Sequence, residues 1–209
     1  MQAHSGRKHN GASRKAILHP SSRSLFNYWN WLRGERTAPS RQEIDLRSIA
    51  PILPWVGIME RRAGDRRHCW RLAGTGIARL WGGGLSGMEV AADWPAVYRH
   101  TLVRALDGVH DRRQPFVARL KGVSAHGEEV GIELFAAPVE TSNGASVQTL
   151  CTVVAFREPH WLGRIPLVHV ELSTLAAIWL GPLPNEIRGQ GTRSPPSMQL
   201  KLIQGGRSD

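Results

Sequence analysis

Several residues of this sequence belong to types that carry catalysis or bind metals, but their spacing does not fit such chemistry. Ser86 lies in Gly84-Leu-Ser-Gly-Met88, which lacks the second glycine of the turn that exposes a nucleophilic serine. The segment Gly74-Thr-Gly-Ile-Ala-Arg79 fails at the third glycine of the dinucleotide-binding fingerprint. The sequence has no Gly-Lys-Ser/Thr phosphate loop, no CxxC pair and no HExxH motif, and its nine histidines occur singly. These patterns favour neither a nucleotide site nor a metal site.

Paired carboxylates for acid–base catalysis are also missing. Glu128 and Glu129 lie at the end of a predicted hairpin, where solvent exposure is expected. Glu133 alternates with Ile132 and Leu134 in a predicted strand, so we expect its side chain to face solvent. The sequence therefore predicts a protein without enzymatic activity.

The two cysteines, Cys69 and Cys151, lie in apolar, strand-like runs. Buried, reduced thiols in a cytoplasmic protein are the favoured interpretation, and a disulfide between them stays open. The first residues are basic but are not followed by the apolar segment of a secretory signal. The apolar run from residue 165 to 182 contains His169 and Glu171, so a membrane span is disfavoured.

The chain of 209 residues has a formal net charge of +10, and half of it comes from the N-terminus. Residues 1–23 contain five basic side chains and no acidic one. Only four of the 27 basic residues are lysines, which indicates a GC-rich genome rather than a phosphate-binding surface. Nucleic-acid binding is therefore disfavoured, and binding of a nucleic acid or an anionic membrane through the basic arm is a minor alternative.

Hydrophobic periodicity predicts the elements that position these residues. Residues 1–21 show no pattern and are expected to form a disordered basic arm. A helix is expected from Ser21 or Ser22 to Arg33, with Gly34 as its stop, and a shorter helix over 43–49. The apolar face of the first helix consists of Leu25, Tyr28, Trp29 and Leu32.

The middle of the sequence predicts a mixture of strands and helices. Strands are expected over 55–60 and 68–73, a helical turn over 77–81, and a longer helix over 94–106 that Asp93 caps. Alternating apolar residues predict an antiparallel meander over 115–122, 129–138 and 146–156, with one face on a core. Beyond residue 156, proline and glycine recur, and only a short helix over 176–180 is expected.

Two strands, short helices, one longer helix and a three-stranded meander follow one another in the order of a PAS domain. The segment Trp70-Arg-Leu-Ala-Gly-Thr75 resembles the PAS stretch that leaves the second strand and enters the short helices. Residues 28–54 read Tyr-Trp-x-x-Leu-Arg-Gly-x-Arg-x-Ala-Pro-x-Arg-x-x-Ile-Asp-x-x-x-Ile-x-Pro-x-Leu-Pro. This motif is similar to the opening of a bacterial family of small stand-alone PAS proteins, and the resemblance covers about residues 24–157.

The resemblance implies an α+β fold, namely a PAS-like five-stranded antiparallel sheet with helices on one face. An N-terminal helix and an irregular C-terminal extension complete it. The corresponding division of the chain is a disordered basic arm over 1–21, a PAS-like domain over 22–158 and a partly disordered extension over 159–209.

PAS folds bind small molecules between sheet and helices, and they also contact partner proteins. By position, the candidate pocket residues are Trp70, Leu72, Trp81, His100, Leu102 and Leu134. The opening motif supplies a second set of candidate partner-binding or structural residues: Tyr28, Trp29, Arg33, Arg41, Asp45 and Pro54. An Arg–Asp pair in this motif would tie the helix to the following loop. Candidate partner anchors are Trp29, Trp31 and Trp55.

The implied function is a non-catalytic signalling or regulatory module that acts by protein–protein interaction, with a signalling protein or a second copy of itself as partner. The alternative is a small-molecule sensor whose ligand lies between the sheet and the helices. The sequence identifies no cofactor. A haem-ligand role for His100 is disfavoured, and flavin photochemistry at a reactive cysteine would require a cysteine in the helical region, where neither Cys69 nor Cys151 lies.

Overall fold

Six segments form one antiparallel sheet in the computed structural model, which describes residues 16–64, 66–141 and 146–180. The strands are β1 (Val56–Arg61), β2 (His68–Ala73), β3 (Phe116–Ser124), β4 (Glu129–Glu140), β5 (Val147–Ala155) and β6 (Leu167–Ala177). They lie side by side in the order β2-β1-β5-β4-β3-β6. The described α-helices are α1 (Pro20–Arg33), α2 (Thr75–Leu80) and α3 (Ala96–Arg112). The predicted α+β class with an antiparallel sheet is confirmed.

The sheet has one strand more than predicted. β6 pairs with β3 along its whole length, although the extension over 159–209 was expected to be irregular and residues 176–180 helical. Two bulges interrupt this pairing, so the apolar residues of β6 do not alternate regularly and the usual strand pattern is lost. Residues 181–209, which complete the predicted extension, lie outside the described residues.

Both faces of the sheet are buried, although the predicted meander had only one face on a core. Leu106 of α3 packs with Phe116 and Ile132 in a first core. Phe26 of α1 packs with Phe135 in a second core on the opposite face. Every residue of β5 is buried, because α1 covers the face that was expected to meet solvent.

The first helix forms close to where the sequence places it. α1 begins at Pro20, one residue before the predicted cap, and the side chain of His19 accepts a hydrogen bond from the amide of Ser21. Gly34 ends the helix with a positive φ of 57°, a conformation that glycine adopts without strain. Residues 16–21 were predicted to be part of a disordered basic arm, but the amides of Leu18 and His19 bind Glu133 of the sheet and α1 begins at Pro20. The rest of the predicted arm, residues 1–15, falls outside the described part of the chain.

The segment between α1 and β1 is folded into two 3-10 helices, Arg41–Glu43 and Leu46–Trp55, instead of the single helix predicted over 43–49. Two prolines in the second one exclude a regular α-helix.

The longer helix α3 begins two residues later than predicted and continues to Arg112. Its N-cap is Pro95, so Asp93 does not cap it as expected. No helix in the described part of the chain is long and apolar enough to cross a membrane.

Candidate functional site

A cavity of about 480 Å³ lies between the sheet and the helical side of the molecule. Its floor is the first core face of the sheet, with Met59 of β1, Leu134 of β4 and Val153 of β5. Leu102 of α3 forms a wall. Residues 81–94, between α2 and α3, and residues 166–170, at the start of β6, surround its mouth. Drug-sized ligands occupy protein pockets of roughly 300–1,000 Å³, so this volume suits a small molecule.

The structure brings together four of the six predicted pocket residues. Trp70, Trp81, Leu102 and Leu134 all line the cavity. Trp70, Leu102 and Leu134 are also part of the first core, and the half-buried Trp81 packs against it. The geometry therefore gathers these four side chains at one site.

Leu72 does not line this cavity. In the β1–β2 ladder Ile58 pairs with Leu72 and Met59 pairs with Trp70, so Arg71 is an extra residue on β2. This bulge reverses the alternation of side chains, and Leu72 lies on the other face of the sheet, 49% exposed. Leu72, which was predicted as a pocket residue together with Trp70, therefore faces away from the cavity.

His100 is also outside the cavity. It belongs to α3 but is exposed, whereas Leu102 is buried in the lining. Two residues of an α-helix are separated by about 200° around its axis, so both cannot face the same pocket. The position of His100 gives no support to a ligand role in this cavity.

Sequence reasoning missed the residues that surround the mouth. Met88, Glu89, Asp93 and Trp94 line the cavity from the segment that precedes α3, and His169 lines it from β6. The run of three glycines at 82–84, which also borders the cavity, was the only signal in the sequence of an irregular segment here. The contribution of β6 could not be predicted without recognising the strand itself.

The cysteines are buried and free, and neither is among the residues that line the cavity. Burial raises the pKa of the Cys151 thiol to about 12, with a smaller opposing effect from a hydrogen bond to the backbone of Gly57. A thiol with such a pKa is protonated at neutral pH and is a poor nucleophile. Neither Cys69 nor Cys151 is therefore placed to react with a ligand in the cavity.

A second cavity, of about 530 Å³, lies on the opposite face of the sheet beside β2. We call it the outer groove. Leu46 of the second 3-10 helix, Ile58 of β1, Leu72 of β2 and Leu150 of β5 contribute apolar side chains to it. Leu46 and Leu72 are 57% and 49% exposed, so the outer groove presents an apolar surface to solvent.

The residues of the opening motif stabilise the packing of α1. Trp29 is fully buried, and its indole Nε1 donates a hydrogen bond to the carbonyl of Pro138 at 2.7 Å. The hydroxyl of Tyr28 accepts from the amide of Asp45 at 2.7 Å and donates to its carbonyl oxygen at 3.2 Å. Arg33 lies over the ring of Trp29, 5.5 Å from its centroid. The motif thus ties α1 both to the sheet and to the loop that follows.

The remaining motif residues have other contacts. Arg41 donates to the side chain of Gln148 at 2.6 Å, and Asp45 caps the second 3-10 helix. The expected Arg–Asp pair is replaced by the bonds between Tyr28 and the backbone of Asp45. Pro54 lines the outer groove. Among the candidate anchors, Trp29 is buried and Trp31 is 75% exposed, while Trp55 is half-buried against Gly76.

Two further groups of polar residues lie outside both cavities. His68 and His110 pack edge to face, with ring centroids 5.2 Å apart, and the Nε2 atom of His68 lies 3.1 Å from Asp107. Burial is the main cause that lowers the pKa of both histidines, that of His110 to about 4. On the other face, the buried carboxylate of Glu133 accepts hydrogen bonds from two backbone amides that precede α1.

Comparison with known proteins gives one family and several similar folds. A family model described as PAS domain matches residues 17–154, which is more than half of the chain. No curated protein matches. One similar solved structure is a light-oxygen-voltage domain studied with a flavin analogue, with 15% identity and a TM-score of 0.42, covering 54% of this chain and 84% of that chain. Another is an RNA-binding light-oxygen-voltage receptor, with 13% identity and a TM-score of 0.38, covering 60% of this chain and 37% of that chain.

Proposed function

The chain belongs to the PAS domain family, and on that premise we propose that it is a sensory module that binds a small molecule between its sheet and its helices. Binding of the ligand shifts the conformational equilibrium of the domain, and the chain itself does not catalyse a reaction. From the sequence, partner binding was the first expectation and ligand sensing the alternative. We reverse this order because the cavity supports ligand sensing more strongly than the surface supports partner binding.

The observation that carries the proposal is the cavity of about 480 Å³ between the sheet and the helices. A well-packed core contains few voids larger than a water molecule, so a cavity of this size requires an explanation. Its walls combine aliphatic side chains with the aromatic rings of Trp70 and Trp81. Such apolar walls favour an organic ligand over a hydrated inorganic ion.

Native mass spectrometry combined with a thermal-shift screen of small molecules tests the proposal. We expect a co-purified mass or a ligand-dependent rise in Tm, since a ligand that binds only the folded state stabilises it. The variant Val153→Phe fills the floor of the cavity and should abolish the effect. Because a larger side chain in the core can impair folding, Ala92→Phe provides a second variant at the half-buried mouth.

A matched control is Leu72→Ser, which changes the outer groove and leaves the cavity lining intact. This variant should show the same co-purified mass or the same ligand-dependent rise in Tm as the wild type. The proposal is contradicted if ligand binding persists in both cavity-filling variants, or if Leu72→Ser removes it. An absorption spectrum of the same samples shows whether the bound molecule is a chromophore.

Partner binding is a second candidate function, supported by the outer groove and by the exposure of Trp31. Exposed aromatic residues and exposed apolar surfaces are both common in protein interfaces. Self-association is tested by sedimentation velocity over a range of concentrations for the wild type and for Leu46→Ser. If the outer groove joins two copies, the variant dissociates at higher concentration than the wild type. Equal sedimentation of both proteins argues against this surface as a dimer interface.

A further inference from the structure

The cavity lining differs in charge from the rest of the molecule. The chain has 27 lysines and arginines against 17 acidic residues, so basic side chains predominate overall. Among the residues that line the cavity, Glu89 and Asp93 are acidic, and none is a lysine or an arginine. The lining contains one histidine, His169, and its Nε2 atom lies 3.6 Å from the carboxylate of Glu171. The charged carboxylates of the lining are therefore acidic residues in a basic protein, with two arginines next to the lining: Arg67 beside Glu89, and Arg99, which donates to the carbonyl of Ala92 at 3.0 Å.

The two carboxylates at the mouth are weakly engaged by the protein itself. Glu89 lies 3.5 Å from Arg67, and their side chains are 31% and 54% exposed, which is typical of a loose surface pair. Asp93 is not the cap of α3, and its carboxylate forms no hydrogen bond or ion pair with another described residue. Both acids are consequently available to a positively charged group at the mouth.

Three tryptophans line the same cavity, namely Trp70, Trp81 and Trp94. The face of an indole ring attracts organic cations through its quadrupole, and tryptophan is the most effective side chain for this interaction. Apolar walls formed by Leu102, Leu134 and Val153 surround the deeper part. The lining thus combines an apolar surface with two carboxylates and three indole rings that could interact with a positive charge.

From this combination we propose that the ligand is an organic cation with an apolar body, such as a substituted ammonium ion. The inference rests on the proposed function and specifies the class of ligand. The apolar body occupies the deep part of the cavity, and the positive charge lies at the mouth near Glu89 and Asp93. Ligands with phosphate or carboxylate groups bind weakly because the lining provides no lysine or arginine to pair with them.

Isothermal titration of the full chain with three probes that share a benzyl group tests the preference for charge. The probes are benzyltrimethylammonium as the cation, benzyl alcohol as the neutral compound and phenylacetate as the anion. We expect the cation to bind at least tenfold more tightly than the neutral probe, and the anion to bind more weakly than either.

A double variant, Glu89→Gln with Asp93→Asn, tests whether the two carboxylates cause that preference. It should weaken binding of the cation at least tenfold and leave binding of benzyl alcohol unchanged. The control is a second double variant, Glu35→Gln with Glu129→Gln, which also removes two negative charges. Both glutamates are exposed and lie outside the cavity. It should retain the affinity of the wild type for all three probes.

Equal binding of the cation and the neutral probe, or tighter binding of the anion, overturns the cation inference. Binding of the cation that does not change in the double variant overturns it as well. In each of these outcomes the cavity-filling variants Val153→Phe and Ala92→Phe decide whether the bound probe lies in the cavity, so the proposed function is judged separately. If none of the probes binds, the cation inference fails, and the loss of ligand in Val153→Phe and Ala92→Phe decides the proposed function separately.

Discussion

Glu133 is a buried carboxylate that stabilises the start of the N-terminal helix. Its two oxygens accept hydrogen bonds from the amides of Leu18 and His19 at 2.8 and 2.9 Å. Arg119, which lies opposite it on β3, donates to the carbonyl of Ala16 at 2.9 Å. These contacts hold the backbone before α1 against the sheet. They connect β4, which also contributes to the ligand cavity, with the helix on the opposite face.

Replacing Glu133 with glutamine should lower the free energy of unfolding by about 1.5–3 kcal/mol, the range for hydrogen bonds to charged groups. Glutamine keeps one acceptor oxygen and replaces the other with a donor, so one of the two partly buried amides loses its partner. Urea denaturation measures the loss, and hydrogen exchange at the amides of Leu18 and His19 locates it. The matched control Glu129→Gln, on the same strand but exposed, should change the free energy by less than about 1 kcal/mol. Equal effects of the two substitutions would refute this role of Glu133.

His110 makes the stability of the protein dependent on pH. Burial, followed by the positive charges of His68 and Arg61, lowers its pKa from 6.5 to about 4, while Asp107 and Asp111 oppose the change. Between these pH values the unfolded chain binds a proton that the folded protein does not bind, so stability decreases as the pH falls from 6.5 to about 4. Above pH 6.5 this contribution to stability is complete.

We expect the wild type to lose up to about 3 kcal/mol through His110 over this range, and His110→Gln to show a smaller loss. Urea denaturation at pH 7.5 and pH 4.5 measures the difference. The exposed His126 provides the control, since His126→Gln should keep the pH dependence of the wild type. A wild type and a His110→Gln variant with the same pH dependence would show that this histidine does not contribute.

Residue types alone could not predict these two buried groups. Glu133 alternates with apolar neighbours, and alternation normally places a carboxylate in solvent. Its burial results from the second layer formed by α1 and by the segment before it, which is a property of the tertiary structure. His68 and His110 are separated by forty-one intervening residues of sequence, and only the packing of α3 beside β2 brings them together.

At the scale of elements, close backbone contact between α2 and the second 3-10 helix requires a glycine. A Cβ atom at Gly74 would lie 2.4 Å from the carbonyl oxygen of Pro54 and 2.5 Å from that of Leu53. Both distances are too short for any side chain, so Gly74→Ala would push the two elements apart. Since α2 precedes the segment that surrounds the cavity, this contact also helps to position the mouth.

Gly74→Ala should lower the free energy of unfolding by about 1–3 kcal/mol, as overpacking does elsewhere in protein cores. Thermal and urea denaturation measure the change. Gly84→Ala is the matched control, because a Cβ atom there would have no neighbour within 4 Å. If both variants are as stable as the wild type, the close approach at Gly74 does not constrain the structure.

The sequence predicted the elements with clear periodicity and missed those with bulges. α1 and the five strands β1 to β5 form where alternation or helical spacing predicts them. The bulge beside Arg71 turned Leu72 to the opposite face, and the bulges in the β3–β6 pairing concealed a whole strand. In both cases one extra residue shifts the pattern of side chains by one position.

For the whole molecule, the resemblance placed the candidate pocket between sheet and helices, and the structure has a cavity there. Its floor consists of regular elements and was predicted in part. Its mouth consists of residues 81–94 and 166–170, which lack periodicity, so neither its two carboxylates nor its third tryptophan could be predicted. The features that distinguish one ligand class from another therefore lie in the part of the molecule that sequence patterns describe least well.

The most direct test of the account is an NMR titration that follows the indole N–H signals of the tryptophans, with benzyltrimethylammonium and benzyl alcohol as probes. Three indoles belong to the cavity, those of Trp70, Trp81 and Trp94, whereas Trp29 and Trp31 lie on α1 at the opposite face. We predict saturable shifts at the three cavity indoles with at least one probe and no shifts at Trp29 and Trp31. Shifts at the α1 indoles with none at the cavity would contradict the central claim that the small-molecule site lies between the sheet and the helices.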